Sequence, residues 1–186
     1  IGVGSNVLVR DGGFRGLIIK LGKSFNALNV SRNLISVGAS ILDANLSKYA
    51  YHNSLKGLEF FSGIPGNVGG AVKMNAGCYG CETTNVLKEI SVFTRSGVKK
   101  ILSNKDLGFS YRNSNLSDND IVTSVIFKGE FGEKNEIESK VKEIKLMRET
   151  SQPIKTKTGG STFKNLKGHY AARLIEQADC KGLTFG

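Results

Sequence analysis

The sequence predicts an α+β fold. Three observations predict it: short apolar runs rich in β-branched residues, irregular spacing between those runs, and one long amphipathic helix. No internal repeat or regular strand–helix alternation points to a parallel array.

The elements follow in order. Leu17–Leu21 is a short apolar run that reads as a strand, and residues 34–37 (Leu-Ile-Ser-Val) read as a second. Ser40-Ile41-Leu42-Asp43 matches a capping box, so a helix is expected to about Tyr51, with Ile41, Leu42, Asn45, Leu46 and Tyr49 at helical spacing. Leu58–Ile64 leads into a glycine-rich loop. Residues 89–94 and 98–102 read as a hairpin turned at Arg95-Ser96-Gly97. Residues 121–127 form a further β-branched strand. The clearest helix spans 135–149, where Ile137, Val141, Ile144 and Met147 make one stripe and charges fill the other face. Residues 170–178 predict a last helix with Leu174 and Ile175 turned inward. A cluster of Gly, Glu, Lys and Asn at 129–135 places a domain boundary at 132/133.

Composition narrows the function classes. The 186 residues are 39% hydrophobic and 23% charged, which supports a packed core. The longest apolar run, Gly16-Leu17-Ile18-Ile19, is far too short to span a bilayer. Three cysteines are too few for a disulfide scaffold. The formal net charge of +10 points to anionic partners. The positive residues are dispersed, with Lys99-Lys100 and Lys155-Thr156-Lys157 the nearest to clusters, and no aromatic stacking motif interleaves them. Phosphate-bearing small molecules therefore fit better than nucleic acid.

Five constellations carry chemistry. Gly2-Val3-Gly4-Ser5-Asn6 suits a phosphate-cradling turn, although Val7 breaks the dinucleotide fingerprint and a tight turn explains it equally well. Gly63-Ile64-Pro65-Gly66-Asn67-Val68-Gly69-Gly70-Ala71 packs four glycines and a proline into nine residues. Uncovered main-chain N–H groups there would form a nest for oxyanions. Asn75-Ala76-Gly77 extends this small-residue surface and lets a flat ring approach. Arg112, flanked by Phe109 and Tyr111, offers a guanidinium that can clamp a carboxylate. Gly159-Gly160-Ser161 exposes a serine hydroxyl, but no glycine stands at 163 and the only histidines are His52 and His169, so a hydrolase triad is weakly supported. Ser161 is open as a proton donor or as a cap. Cys78 and Cys81 read as free thiols near a ligand loop, and no metal site is expected.

The ordered set is specific. Gly2–Gly16, Gly57-Leu58-Glu59-Phe60, Gly63–Ala71, Met74–Gly77, Tyr111-Arg112-Asn113-Ser114 and Gly159–Asn165 together closely resemble the UDP-N-acetylenolpyruvoylglucosamine reductase family. The flavin half alone also resembles the wider vanillyl-alcohol-oxidase-like FAD fold. The resemblance implies an FAD-binding domain of that type over 1–132 and the start of an α+β substrate-binding domain over 133–186. It implies FAD held by Gly4, Ser5, Asn6, Gly63, Ile64, Pro65, Gly66, Val68, Gly69, Gly70 and Ala71, with Asn75, Ala76 and Gly77 along the flavin. NADPH would be co-substrate. Hydride from the reduced flavin would reach C3 of the enolpyruvyl UDP-sugar. Arg112 would stabilise the enolate, Ser161 would protonate C2, and Tyr111, Lys164 and Asn165 would hold substrate. The implied role is peptidoglycan precursor synthesis in the cytoplasm, with neither nucleic acid nor membrane as partner. The alternative is a non-catalytic module binding FAD or nucleotide phosphate. Leu166 and Cys78 depart from the family's usual proline and alanine. Family members also extend beyond both ends and carry a catalytic glutamate near the C-terminus, so the 186-residue chain alone is expected to be inactive or nearly so.

Overall fold

The computed structural model describes residues 1–152 and 160–184. Lys155, Thr156, Lys157 and Gly159 of the motifs above, with Phe185 and Gly186, lie outside the described residues. The chain forms two compact units, Ile1–Pro153 and Ile154–Gly186. The α+β expectation holds.

The first unit is built on one antiparallel sheet. Its strands are β1 (Leu28–Ser31) and β2 (Leu34–Gly38), later joined by β6 (Leu87–Phe93), β7 (Lys99–Ser103) and β8 (Ile121–Lys128). They lie in the order β1-β2-β8-β6-β7. Helix α1 (Asp43–His52) follows β2, then the short strand β3 (Leu55–Lys56) and a 3₁₀ turn at Glu59–Gly63. Helix α2 (Val68–Lys73) leads to a tight hairpin of β4 (Gly77–Cys78) and β5 (Cys81–Glu82), then the one-turn helix α3 (Thr83–Val86). After β8, β9 (Glu130–Phe131) pairs with β3, and α4 (Lys134–Ser151) closes the unit. The second unit contains α5 (Ala171–Gln177) and an isolated bridge between Leu166 and His169.

Alternation positions the core. Ile35 and Val37 of β2 pair with Phe127 and Val125 of β8, and Ile90 of β6 pairs with Val125 from the other side. All five side chains are buried, as period-two alternation requires. Leu46, Ala50, Phe60, Phe61, Val68, Ala71 and Val72 complete the cluster from the helical layer. Phe61 meets Phe127 edge-on at 5.2 Å and stacks on Phe60 at 4.2 Å. Helix α4 buries Ile137 and Ile144 of its predicted stripe, while Val141 and Met147 are half-buried. Because α4 belongs with the first unit, the contacts divide the chain at 153/154, whereas the sequence reading placed the boundary at 132/133.

Several local expectations are corrected. Leu17–Leu21 is not a strand, because its backbone finds no ladder; instead the carbonyl of Ile19 accepts from the amino group of Ile1 at 2.7 Å. Leu17, Ile18 and Ile19 are exposed. The capping box at Ser40 does not form. The N-cap of α1 is Leu42, and the Ser40 hydroxyl donates instead to the carbonyl of Phe25 at 2.8 Å. Leu174 and Ile175 of α5 are 36% and 37% exposed rather than inward. The glycine-rich loop is half helix, since Val68–Lys73 is α2.

Asp43 opens α1 fully buried, and neither carboxyl oxygen has a hydrogen-bond partner among the described residues. Burial pushes its pKa up to about 8. The folded state therefore keeps a proton that the unfolded chain releases above the ordinary value of 3.8, so stability is lost as pH rises from there towards 8. Asp43→Asn removes this dependence. In urea denaturation its advantage over the parent should be smallest near pH 3.8 and grow steadily as pH rises towards about 8. A constant difference across that window contradicts the assignment.

Candidate active site

The first two glycine motifs meet in space. The Val3 amide donates to Asn67 Oδ1 at 2.7 Å, and Asn67 Nδ2 donates to the Ser40 carbonyl at 2.7 Å. The close approach needs glycine at position 2, where a Cβ would lie 2.3 Å from Asn67 Oδ1. Gly4 adopts φ +80°, a conformation that L side chains rarely adopt. Ser5 stands over Gly66, its Oγ 3.6 Å from where a Cβ would sit. Gly2, Val3, Asn67, Gly69 and Gly70 thus share the wall of a cleft of about 690 Å³.

The cleft carries charges of both signs. Lys20, Lys23 and Lys73 line it, with Asp118 and Asp120. Lys73 is engaged: its Nζ pairs with Asp118 at 2.8 Å and donates to the Leu116 carbonyl at 2.6 Å. That hydrogen bond holds the Asp118 carboxyl below its usual range. Lys20 and Lys23 have no ion pair among the described residues.

The glycine run does not form the broad nest expected of it. The Val68 amide donates to the Ile41 carbonyl at 2.9 Å, Gly69 to Ala39 at 3.0 Å, and Ala71 to Asn67 at 2.9 Å. Gly66 donates to Ile64 at 3.1 Å. Gly70 differs, because its amide has no hydrogen-bond partner among the described residues and no atom lies within 4 Å of where a Cβ would stand. Val68 and Ala71 are core residues, Ile64 packs partly buried on the core, and Pro65 is exposed. Gly63 lies under α4, where a Cβ would approach Ile144 Cγ2 at 3.0 Å and Cys78 Sγ at 3.1 Å.

A second cluster gathers Asn75, Gly77, Tyr111 and Arg112. Two turns build it. Asn75 ends α2 at φ +41°, and Arg112 occupies the Ser110–Asn113 turn at φ +53°. The guanidinium of Arg112 donates from Nη2 to the Gly77 carbonyl at 2.6 Å, and from Nη1 to Glu82 Oε1 at 3.4 Å and the Asn75 carbonyl at 3.5 Å. It also stacks 4.9 Å from the Tyr111 ring centroid. Asn75 is buried. Its Nδ2 donates to Glu82 Oε2 at 2.8 Å and the Ser110 carbonyl at 3.0 Å, and its Oδ1 accepts from the Thr84 amide at 3.0 Å. Ala76 closes the turn, its amide on the Ala71 carbonyl at 2.8 Å. Cys78 and Cys81 face each other across the β4–β5 hairpin as free thiols. Burial pushes the Cys78 thiol up to about 11, against the opposing pull of Arg112, so it is protonated at neutral pH.

Sequence reasoning missed Glu82, Lys20, Lys23 and Lys73. The signal for Glu82 was present: Tyr79-Gly80 is a two-residue hairpin that folds Cys81-Glu82 back over Gly77-Cys78.

In the second unit Ser161 and Lys164 are exposed. Asn165 Oδ1 accepts from the Ala171 amide at 3.0 Å, at the start of α5.

Comparison with known proteins places these features in a family context. An FAD binding domain model matches residues 1–102, and the C-terminal domain of UDP-N-acetylenolpyruvoylglucosamine reductase matches residues 152–186. The chain is 49% identical to the UDP-N-acetylenolpyruvoylglucosamine reductase of Caulobacter vibrioides and 46% identical to that of Methylorubrum populi. All of this chain is covered, against 63% and 60% of those relatives, so the chain spans less than two thirds of their length. A crystal structure of UDP-N-acetylenolpyruvylglucosamine reductase from Thermus caldophilus superposes with a TM-score of 0.91 at 39% identity, covering all of this chain and 68% of that one.

Adjacent glycines should respond oppositely to a methyl group. In Gly69→Ala the Cβ would lie 3.1 Å from Ala39 Cβ and 3.3 Å from the Ala39 carbonyl, a loss of about 1–3 kcal/mol. Gly70→Ala enters open helical space and should gain about 0.5–1 kcal/mol. Thermal denaturation of the pair checks this, and equal shifts of one sign would contradict the packing described.

Proposed function

Because this chain belongs to the UDP-N-acetylenolpyruvoylglucosamine reductase family, we propose that it is the flavin-binding part, with the start of the substrate-binding part, of an NADPH-dependent reductase that converts the enolpyruvyl UDP-sugar to UDP-N-acetylmuramate. The observation that carries the reading is the shared wall of the cleft, where the Gly2–Val3 and Asn67–Gly70 segments join through Asn67. The first unit is assigned to FAD and the second to substrate.

The residues present suit FAD. Gly70 offers an amide with no partner among the described residues and with open space before it. Lys20 and Lys23 supply positive charge at the cleft's edge. Both are what a diphosphate requires. Gly4, Ser5 and Asn6 would cover the phosphates, and Asn75, Ala76 and Gly77 would lie along the ring. When bound, FAD accepts electrons from NADPH and supplies hydride to C3 of the enolpyruvyl group.

The chain's own residues handle charge and protons. Arg112 would hold the substrate carboxylate and stabilise the negative charge that grows on it as C3 is reduced. Its guanidinium is fixed at one end by Gly77, so little reorganisation accompanies that charge. Tyr111 would keep the guanidinium plane in place through stacking. Ser161 would give its hydroxyl proton to C2, and Lys164 would help to hold the UDP-sugar. Asn165 would act through the start of α5. The reaction supplies a peptidoglycan precursor, and the expected compartment is the cytoplasm.

Two measurements test the reading. FAD titration of the chain, followed by flavin fluorescence, should show binding that weakens about tenfold or more when Lys20 and Lys23 are both changed to Glu. In the full reading frame, Ser161→Ala should slow reoxidation of the reduced flavin by substrate about a hundredfold or more and spare flavin reduction by NADPH. Equal loss of both half-reactions would remove the donor role from Ser161.

A further inference from the structure

We propose that Glu82 is a positioning residue that holds Arg112 ready for the substrate carboxylate. The inference deepens the reading above and rests on Arg112 having that role.

Two side-chain donors meet the Glu82 carboxylate, and three further hydrogen bonds fix its backbone amide and Asn75. Oε2 accepts from Asn75 Nδ2 at 2.8 Å, and Oε1 pairs with Arg112 Nη1 at 3.4 Å. The Glu82 backbone amide is itself fixed by Asn85 Oδ1 at 2.7 Å. Asn75 cannot turn its amide round, because Oδ1 takes the Thr84 amide and Nδ2 also donates to Ser110. The carboxylate therefore has one arm on a rigid buried donor and one on the guanidinium, and the side chain also caps the Asn85 amide at the start of α3.

The two ends of Arg112 are held unequally. Nη2 sits on the Gly77 carbonyl at 2.6 Å and is the anchor. Nη1 has only long contacts, at 3.4 and 3.5 Å, and is the end available to a ligand. Glu82 is its one carboxylate partner among the described residues, and it supplies the counter-charge that keeps the side chain folded over Gly77. The side chains of Arg112 and Glu82 are 30% and 33% exposed, so the pair is neither fully screened by water nor sealed from a ligand. An incoming carboxylate then competes with Glu82 for Nη1 while Nη2 stays in place, so the ligand meets a prepositioned cation.

Glu82→Gln isolates this role. Gln keeps the length but carries one acceptor and one donor. Asn75 Nδ2 and Arg112 are both donors, so one of the two contacts must be lost, along with the counter-charge. Glu82→Asp keeps the charge and loses reach. In the flavin-loaded full reading frame, the rate of reoxidation by substrate relative to flavin reduction by NADPH should fall about tenfold in Glu82→Gln and less in Glu82→Asp. KM for substrate should not rise, and calorimetry on the oxidised protein should show substrate affinity equal to or tighter than the parent's, since a competing anion has gone. A ratio within about twofold of the parent's in both variants overturns the proposal. So does a raised KM with unchanged kcat, or the loss of flavin itself. Where Glu82→Gln does not fold, Glu82→Asp alone decides. Arg112→Ala serves as the control on the underlying reading: if it leaves reoxidation intact, the role of Arg112 fails whatever Glu82 does.

Discussion

Everything in the first unit turns on how closely the Gly66–Gly70 segment approaches the turn between β2 and α1. Three backbone hydrogen bonds stitch the two together, from Asp43 to Gly66, Val68 to Ile41 and Gly69 to Ala39. A fourth, from Ala39 to Thr123, ties the same turn to β8. A side chain would crowd the backbone or its neighbours at several of these points. A Cβ on Gly38 would fall 1.8 Å from the Phe25 carbonyl, one on Gly69 would press on Ala39, and one on Gly66 would meet Asp43 Oδ2 at 2.9 Å. The density of glycine in this stretch thus has two causes. One is close backbone approach inside the fold, and the other, at Gly70 alone, is an open amide facing the cleft.

That division explains what was legible in the sequence and what was not. The strands β2, β6 and β8 declared themselves through periodicity, because each buries one face against a common core, β7 through its turn at Arg95-Ser96-Gly97, and α4 through the stripe that buries Ile137 and Ile144. β1 was silent. It is four residues long, and its hairpin turns through Arg32 at φ +54° instead of through the Asn-Gly or Gly pairs that mark such turns. Leu17–Leu21 misled in the opposite direction. An apolar run becomes a strand only where a neighbouring backbone completes its hydrogen bonds, and composition does not carry that information. Ser40 misled because its hydroxyl finds the Phe25 carbonyl, a contact fifteen residues away that no local pattern contains.

The site was legible to a similar extent and for the same reason. Residue types announced Arg112, Asn75 and Gly77, and the structure brings all three together through the Ser110–Asn113 turn and the end of α2. The glycine run announced a cradle. Yet its amides at 66, 68, 69 and 71 are taken by backbone carbonyls, a fact that only pairing in three dimensions decides. The charges that complete the cleft come from Lys20, Lys23 and Lys73, scattered over fifty residues of sequence, and a net charge gives no hint that they converge.

The Arg112 cluster shows why such a site needs its surroundings. Asn75 and Arg112 both stand at positive φ, where non-glycine residues carry a cost of order 1 kcal/mol or more. A strained conformation persists only where neighbours over-determine it. Here the Ser110–Asn113 bridge fixes the turn, Thr84 and Ser110 fix the Asn75 amide, and Gly77 and Glu82 fix the guanidinium. The Tyr111 ring covers one face of that cation. The orientation of the charge is therefore a property of the network, not of the arginine, and it is set before any ligand arrives. For the role proposed above, in which Arg112 would meet developing negative charge, that order of events matters. A dipole or cation already in place stabilises the charge without the cost of reorganising as it forms, whereas a solvated arginine must first be gathered in.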